Sequence, residues 1–278
     1  MSASLLPATP AALQDLYSRL SQAVQEAPHE GSLPLFIAGR RCGLATPNAV
    51  NALVSLPGVS LAEGGLSIGR DYFPGAELDA LLADVALLLH EAGCLRGWRD
   101  ELLDIFPEDN SPCVGVIERA AMRPLGLLTR AVHLNAWTQD GRLWIARRSL
   151  TKSTDPGMWD TLVGGLVGTG EDLDLALVRE CDEEAGLDAP HITQRTPLRT
   201  LLRMYRRLPE GLQNEDVLTS TCVLASDVKP ANRDGEVMEI RQATMAEALR
   251  MVEEEAFTQE ASLVIVEDML FRFSRAAA

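Results

Sequence analysis

The sequence has no long hydrophobic run, so we expect no membrane-spanning helix. Nothing in its 278 residues approaches the roughly 20 consecutive apolar residues that such a helix needs. The opening segment, MSASLLPATPAALQDLYSRL, also lacks the basic stretch followed by an apolar one that characterises a secretory signal. We therefore expect a cytoplasmic protein without a membrane partner.

Cysteine is scarce and scattered. The five cysteines stand at positions 42, 94, 113, 181 and 222, and no pair has the CxxC spacing that many zinc sites and redox motifs use. An odd number of widely separated thiols does not suggest a disulfide framework either. The sequence therefore predicts reduced cysteines, most of them buried.

Positive charge is also in short supply. The chain has 25 lysine and arginine residues against 40 acidic ones, which gives a formal net charge of −15. Nucleic-acid backbones are bound by basic patches, so this balance argues against a nucleic-acid partner. A small anionic ligand could still bind where cations cluster, and Arg147, Arg148 and Lys152 form such a cluster of candidate substrate-binding residues.

Apolar residues are abundant enough for two domains. They make up 46% of the chain, and the mean hydropathy is +0.02, as in globular proteins. The turn-forming segment FPEDNSP, residues 106–112, is the predicted linker between a small N-terminal α/β domain, residues 1–110, and a second domain, residues 111–278. In the first domain, spacing predicts helices over 10–27, 47–55 and 75–92 and a short apolar run over 33–38.

The second domain alternates extended and helical patterns. Residues 131–137 and 142–147 are extended runs separated by TQDG, which predicts a β-hairpin. A short strand over 159–163, a glycine-rich loop over 164–170 and an amphipathic helix follow. Later strands are predicted at 198–206, 217–225 and 236–243, and later helices at 245–255 and 259–272. This order predicts an α/β fold with a mixed sheet between helices.

Three glutamates mark the helix after the glycine-rich loop. Glu180, Glu183 and Glu184 stand at i, i+3 and i+4, so a helix places them on one face. Like charges at these spacings repel, and a cation relieves the repulsion. Magnesium prefers oxygen ligands and is commonly shared between one or two carboxylates and substrate phosphates. The spacing therefore predicts a site for Mg²⁺, with Mn²⁺ as the alternative, and phosphate chemistry.

The segment around these glutamates, GLVGTGEDLDLALVRECDEEAGL at residues 165–187, resembles the Nudix box GX5EX7REUXEEXGU, in which U is aliphatic. Every fixed letter is present. The one departure is Cys181 at an aliphatic position, where a free cysteine serves as a small buried hydrophobe. The resemblance implies a Nudix α/β/α sandwich with a mixed sheet, and metal-dependent hydrolysis of an organic diphosphate, X–O–P–O–P.

The run ahead of the box narrows the resemblance. Residues 147–165 carry RRS, a lysine, a threonine, PGM, an aspartate and a glycine pair, in a pattern similar to that of Nudix proteins related to thiamine pyrophosphokinase. Those proteins have an extra N-terminal domain of unclear role and close with a helix, as this chain is predicted to do. The subfamily resemblance implies thiamine diphosphate, or a damaged analogue, as the substrate.

The resemblance also implies the ligands of the cation. Glu180, Glu183 and Glu184 would hold it, with Glu180 also able to act as a base toward the attacking water. A backbone carbonyl near Gly164 or Gly165 would be a further ligand. An additional acid from a later segment often joins such sites, and the sequence leaves the choice open among Glu215, Glu236 and Glu239.

Other residues of the motif would support these ligands. By the same resemblance, Arg179 would orient the carboxylates, and Glu171 would tie the loop to the helix through Arg179. Gly186 would be structural. His133 lies in an apolar strand and is predicted to be a core or sheet histidine rather than a substrate contact. The tryptophans predicted to lie in the core, with stacking on a heterocyclic substrate left open, are Trp137, Trp144 and Trp159.

Two alternatives to hydrolysis stay open. The chain could be a non-catalytic diphosphate-binding or regulatory Nudix module, although such proteins usually show eroded glutamates. It could also be a diphosphate isomerase, because isopentenyl diphosphate isomerases share the Nudix fold, although their box diverges from the hydrolase pattern. In each case the expected partner is a small-molecule diphosphate, and a homodimer is compatible with the sequence.

Overall fold

The structure is a computed structural model that describes residues 9–62, 64–109 and 111–276. Its helices are α1 (Pro10–Ala23), α2 (Pro47–Leu53), α3 (Ala76–Glu91), α4 (Leu173–Ala185), α5 (Met245–Glu253) and α6 (Gln259–Ala276). Its strands are β1 (Leu33–Ile37), β2 (Arg40–Ala45), β3 (Val59–Ala62), β4 (Gly65–Ile68), β5 (Leu102–Ile105), β6 (Gly115–Glu118), β7 (Leu128–Trp137), β8 (Leu143–Arg148), β9 (Trp159–Thr161), β10 (Val163–Leu166), β11 (Arg199–Leu208), β12 (Gly211–Val223) and β13 (Val237–Ala243). No described helix combines the length and the apolar composition that crossing a membrane would require.

The N-terminal domain is built on a four-stranded sheet of order β2-β1-β4-β3. Helices α2 and α3 contribute Leu53, Leu82 and Val85 to its core. Sequence patterns do not predict β4, because its glycine-rich surroundings are typical of a loop. A Cβ at Gly65 would overlap the carbonyl of Pro34, so the glycine is what lets β4 approach β1 closely.

The predicted linker stands in the chain between β5 and β6, and its residue 110 lies outside the described residues. The two strands pair antiparallel, with Leu103 opposite Ile117. Both of these residues belong to the N-terminal hydrophobic core, and that core extends to Leu127, beyond the predicted boundary at residue 110. The turn-forming composition of the segment therefore reflects a connection within one core.

Helix α1 packs on the second domain, although it was expected within the first. Its N-cap is Thr9, whose hydroxyl accepts a hydrogen bond from the backbone N–H of Ala12 at 3.2 Å. Leu13 and Leu16 are buried in the same cluster as Ile265 of α6. The apolar stripe of α1 is therefore covered by the helical layer of the second domain.

The second domain is a seven-stranded mixed sheet between helices. The order is β11-β12-β7-β8-β13, with β10 paired to β7 and β9 paired to β8. Strand β12 runs parallel to β7, whereas β7 and β8 form the predicted antiparallel hairpin. Helix α4 shares one hydrophobic cluster with β7 and β12, while α1, α5 and α6 share others with the sheet. These layers confirm the predicted α/β/α sandwich.

Helix α4 has clear signals at both ends. The Asp172 side chain accepts a hydrogen bond from Leu175 N–H at 2.9 Å and caps the start. Gly186 ends the helix in the left-handed region, with φ at 61°. Cys181 is fully buried on the inner face of α4, so it fills the aliphatic position as expected. Glu180 and Glu184 face β10 and are mostly buried, whereas the Glu183 side chain is half-exposed.

Several element boundaries in the second domain differ from the prediction, and two of the differences bear on the site. Gly164 and Gly165 belong to β10 rather than to the glycine-rich loop, because they pair with His133 and Val132 of β7. Strand β12 begins at Gly211, and so it includes Glu215. The early part of β12 is polar, which hid it from a search for apolar runs.

Candidate active site

A cavity of about 480 Å³ lies beside α4. Gly164, Glu180 and Glu184 of the box region contribute to its lining. The N-terminal domain contributes Trp98 and Arg99. Both domains therefore build the cavity onto which the box region opens.

Arg179 is the centre of a hydrogen-bond network on α4. Its Nε and Nη2 donate to the two carboxylate oxygens of Glu171 at 2.8 and 2.9 Å. Its Nη1 donates to Glu180 at 2.7 Å and to Glu183 at 3.0 Å. These bonds, above all those to Glu171, raise the pKa of Arg179 and keep its guanidinium charged. The network fixes the orientation of the Glu180 and Glu183 carboxylates.

The loop before α4 is tied to this network and to the N-terminal domain. Glu171 accepts a hydrogen bond from Gly168 N–H at 3.1 Å, and its bond with Arg179 lowers the pKa of Glu171. Gly170 N–H donates to Asp104 of β5 at 3.2 Å. The loop therefore has fixed partners on both sides.

The carboxyl group of Glu180 lies directly against β10. A Cβ at Gly165 would overlap the carboxyl carbon of Glu180, so no larger residue fits at Gly165 while Glu180 keeps this position. Burial raises the pKa of Glu180, although Arg179 opposes the shift. Arg179 bonds only to Oε1, which leaves Oε2 as the oxygen available to a ligand.

Glu184 is buried more deeply, with 5% of its surface exposed. Its Oε2 accepts a hydrogen bond from Gly164 N–H at 2.9 Å, and its Oε1 lies 3.3 Å from the ammonium of Lys152. Burial raises the pKa of Glu184 to about 8, against the effect of Lys152. Such a carboxyl group can take up a cation in exchange for a proton.

Lys152 connects Glu184 to a second acidic segment. It forms an ion pair with Glu236, and carboxylate oxygens of Glu184, Asp234 and Glu236 lie within 4.8 Å of one another. Within the described ranges, these are the acidic side chains that converge closely enough to share a metal ion. The three predicted glutamates of α4 therefore have different basic partners. Glu180 and Glu183 share Arg179, whereas Glu184 contacts Lys152.

The available donors fit a hard divalent cation. Carboxylate oxygens of Glu180, Glu184 and Glu236 line the same cavity, beside the backbone of Gly164. Mg²⁺ and Mn²⁺ favour such oxygen ligands. Glu183 is half-exposed and does not belong to the cavity lining, so it contributes through the network of Arg179.

The three basic residues of the predicted cluster have different surroundings. Adjacent strand residues point to opposite faces of a sheet, so Arg147 and Arg148 diverge. Arg148 lines the cavity, and its guanidinium donates to Asp160 at 2.8 Å. Arg147 donates to the Gly157 carbonyl at 3.0 Å and stacks on Trp159, outside the cavity lining. Lys152 lines the cavity beside the acidic residues described above.

The candidate additional acids are also separated by the fold. Glu236 joins Glu184 through Lys152, as described above. Glu215 is buried in β12 and lines the cavity without an ion pair to Lys152 in the described structure. Glu239 is exposed on β13 and lies outside the lining.

His133 and the three singled-out tryptophans occupy largely internal positions. His133 is buried in β7 with its Nδ1 3.1 Å from the hydroxyl of Thr161, and burial lowers the pKa of His133. It also contributes to the cavity lining. Trp137 is fully buried, while Trp144 and Trp159 are partly buried against the hydrophobic clusters.

Sequence patterns do not reveal the contribution of the N-terminal domain. Arg96, Trp98 and Arg99 lie between α3 and β5 and line the cavity. They form no periodic pattern and stand far from the box in sequence. Trp98 is held by a 2.8 Å hydrogen bond from its indole N–H to Asp100.

Two family matches divide the chain where the hydrophobic core changes. Residues 127–263 match the NUDIX domain. Residues 15–129 match a domain of unknown function, DUF4743. The two matches meet near Leu127, the last residue of the N-terminal hydrophobic core.

The chain is also similar to individual proteins. Nudix hydrolase 24, chloroplastic, from Arabidopsis thaliana is 34% identical over 195 residues, which are 69% of this chain and 53% of that protein. The chain therefore spans about half the length of that relative. Isopentenyl-diphosphate Delta-isomerase from Salmonella arizonae is 30% identical over 153 residues, 54% of this chain and 81% of that protein. The crystal structure of DR0079 from Deinococcus radiodurans has 26% identity and a TM-score of 0.44, covering 59% of this chain and 97% of that one. The chain therefore contains a Nudix domain, residues 127–263, that follows a DUF4743 domain, residues 15–129.

Proposed function

We propose that this protein is a magnesium-dependent Nudix hydrolase that cleaves an organic diphosphate. The observation that carries the proposal is the position of Glu180 and Glu184. Both line the cavity, one held by Arg179 against Gly165 and the other by Gly164 N–H and Lys152. Carboxylates fixed in this way beside a cavity suit a cation that also meets substrate phosphates.

The cation would be held by Glu184 and Glu236, whose carboxylate oxygens converge, with Glu180 as a further acid on the same cavity lining. When bound, Mg²⁺ would neutralise charge on the phosphate oxygens and make water a better nucleophile. Mn²⁺ would serve in the same role. Burial destabilises the ionised form of Glu184 and so raises its pKa. A bound cation would stabilise that ionised form, so cation binding and ionisation of Glu184 should favour each other.

The residues of the chain perform the remaining tasks. Water adds to one phosphorus, the bridging P–O bond breaks, and the products are an organic monophosphate and phosphate. Glu180 Oε2 takes the proton of the water, because Oε1 is occupied by Arg179. Lys152 lies where it can bind a phosphate oxygen once the cation compensates Glu184 and Glu236.

A narrower substrate follows from the subfamily resemblance alone. Thiamine diphosphate, or a damaged analogue, is the substrate that we propose to test first. The cytoplasmic location also stays a prediction, and the Arabidopsis relative is named chloroplastic.

The test is phosphate release from thiamine, sugar and nucleoside diphosphates with Mg²⁺. We expect activity on at least one of these diphosphates, and a loss of at least about 100-fold in Glu184→Gln, since even residues that only support metal ligands are worth 10–100-fold. Glu183→Gln should lose less, because Glu183 is half-exposed outside the lining. Glu253→Gln, at an exposed site on α5, is the charge-matched control. Activity unchanged in both box variants would remove the metal assignment.

Isomerisation is the second candidate, because the Salmonella isomerase is 30% identical over 153 residues. Product analysis separates the two reactions. An isomerase converts isopentenyl diphosphate to a rearranged diphosphate of equal mass, whereas a hydrolase releases phosphate. A regulatory module would be stabilised by a diphosphate and would form neither product.

A further inference from the structure

A pair of buried acids, Glu215 and Glu260, lines the same cavity and forms no hydrogen bond or ion pair with Lys152, Glu184 or Glu236 within the described residues. Glu215 and Glu260 are 5% and 8% exposed. The side-chain N–H₂ of Gln213 donates to Glu215 at 3.0 Å and to Glu260 at 2.9 Å. Thr129 donates its hydroxyl to the second oxygen of Glu215 at 2.7 Å. Neutral donors are thus the direct partners of this pair.

The neighbouring cations are already engaged elsewhere. Arg123 pairs with Glu210 at 2.8 Å, Arg148 with Asp160 at 2.8 Å, and Arg206 with Asp155 through two bonds. In the ranges that the structure covers, neither Glu215 nor Glu260 forms an ion pair with any of them. Burying acids without a cationic partner is costly. Burial and the proximity of Glu260 raise the pKa of Glu215, although the charge of Arg123 opposes the shift. Arg148 and Arg206 interact with Glu260 through their charge, without a direct ion pair.

Several acceptor atoms around the pair lack a partner. Among described residues that line the cavity, the buried side-chain atoms without a hydrogen bond include Glu260 Oε2, Gln213 Oε1, Asn214 Oδ1 and Glu210 Oε2. Native proteins leave few buried polar atoms unsatisfied, so four such atoms among the residues that line one cavity indicate a ligand.

His133 adds a further acceptor to this wall. The hydroxyl of Thr161 donates to the Val163 carbonyl at 2.8 Å, so it accepts from His133 Nδ1 at 3.1 Å. Burial lowers the pKa of His133, which favours the neutral ring. A neutral ring protonated at Nδ1 presents a lone pair at Nε2, and Nε2 is likewise unpartnered in the described structure.

We propose that this wall, formed by Glu215, Glu260, Gln213, Asn214 and His133, binds a cationic, N–H-bearing group at the organic end of the diphosphate. Amidinium, aminopyridinium and primary ammonium groups have the required chemistry: positive charge for the acid pair and several N–H donors for the neutral acceptors. The proposal rests on the proposed function for the position of the phosphates, which would lie beside Lys152.

An organic cation explains the wall better than a second metal ion. Two of its unpartnered acceptors, Gln213 Oε1 and Asn214 Oδ1, are neutral amide oxygens, and a third is the ring nitrogen of His133. This set suits several N–H donors better than a hard metal ion, which prefers carboxylate ligands. A cavity of about 480 Å³ is large enough for an organic group of this kind.

The test uses probes without phosphate, so that it does not depend on catalysis. Benzamidine and 4-aminopyridine, both cations at pH 7.5, are titrated into the full chain by calorimetry, with neutral benzamide as the matched control. We expect saturable binding of at least one of the two cations and none of benzamide. Glu260→Gln and Glu215→Gln should each weaken that binding at least tenfold, and Glu253→Gln should leave it unchanged. Thermal unfolding of each variant checks that the fold is intact.

Three results would overturn the proposal. They are binding of benzamide as tight as that of the cations, no binding of either cation to the unaltered protein, and binding that survives Glu260→Gln and Glu215→Gln. Mg²⁺ binding that is lost in Glu260→Gln would assign the wall to a metal instead. Failure of the proposed function is distinguishable, because a chain without phosphate release in any assay can still bind the cations, and Glu184→Gln should bind them normally.

Discussion

Two groups of acids share one cavity and differ in their partners. At the α4 end, Glu180 bonds to Arg179 and Glu184 contacts Lys152. Elsewhere on the lining, Glu215 and Glu260 share the side-chain amide of Gln213, and Thr129 also donates to Glu215. Acids of the same type in one cavity are therefore suited to different ligands, because their direct partners differ. Glu180 and Glu184 are paired with arginine, lysine and backbone N–H groups, and they can exchange these partners for a metal ion. Glu215 and Glu260 are bonded to a neutral amide, so a ligand for them has to carry the positive charge itself.

Gly165→Ala should have the largest effect, and it should affect only the α4 end. The added Cβ would overlap the Glu180 carboxyl group and force it from its position. We expect phosphate release to fall by at least about 100-fold, since misplacing a catalytic group by about 1 Å can cost that much. Binding of benzamidine or 4-aminopyridine to the wall of Glu215 and Glu260 should stay unchanged. Equal loss of both would show that the two groups of acids are not independent.

Arg179→Lys should be the next most damaging change. A lysine cannot reproduce the fork that bonds Glu171, Glu180 and Glu183 at once. We expect the Mg²⁺ concentration needed for half-maximal activity to rise by about 10–100-fold, as for other residues that orient metal ligands. A titration of activity against Mg²⁺ measures this shift. An unchanged requirement would mean that Arg179 does not position the carboxylates.

The pH dependence of stability should report on Glu184. Its pKa rises from 4.5 to about 8 on folding, so between these values the folded state keeps a proton that the unfolded state has lost. The free energy of unfolding should therefore fall as pH rises through this window, by at most about 1.4 kcal/mol per pH unit. Urea denaturation without divalent cations should show a flatter profile in Glu184→Gln than in Glu253→Gln. Identical profiles would contradict the burial of an acidic proton at Glu184.

Removing Arg96 and Arg99 together should have the smallest effect. Both are exposed, line the cavity from the N-terminal domain, and lack a side-chain partner among residues 9–62, 64–109 and 111–276. We expect KM for a diphosphate to rise by about 2- to 5-fold in the double alanine variant, because exposed charge pairs contribute about 1 kcal/mol or less. The increase in KM should be smaller at high salt, and kcat should be unchanged. A fall in kcat alone would place the N-terminal domain in the chemistry rather than in binding.

The catalytic segment was predictable because its signals are local. The cap at Asp172, the stop at Gly186 and the spacing of the glutamates define α4 without reference to the rest of the chain. The hairpin of β7 and β8 is similarly marked by its turn. Local patterns also predict the extended segment that contains Arg147 and Arg148. Because adjacent strand residues face opposite sides of the sheet, only Arg148 of the two lines the cavity.

The remaining parts of the site depend on contacts between distant segments. Asp234 comes from an exposed turn, and Trp98 comes from a loop of the other domain. Neither has a pattern that could reveal its position. Strand β4 and the pairing of β5 with β6 were hidden for the same reason, because glycine and turn-forming residues there reflect close packing and a hairpin connection rather than a linker.

The most direct measurement is a titration of Mn²⁺ into the full-length chain, followed by electron paramagnetic resonance, for the unaltered protein, Glu184→Gln and Glu260→Gln. Carboxylates gathered around a cation at α4 predict saturable binding in the unaltered protein and in Glu260→Gln, with binding weakened by at least about 10-fold in Glu184→Gln. Binding that is the same in all three proteins would contradict the assignment of the metal to the α4 end of the cavity.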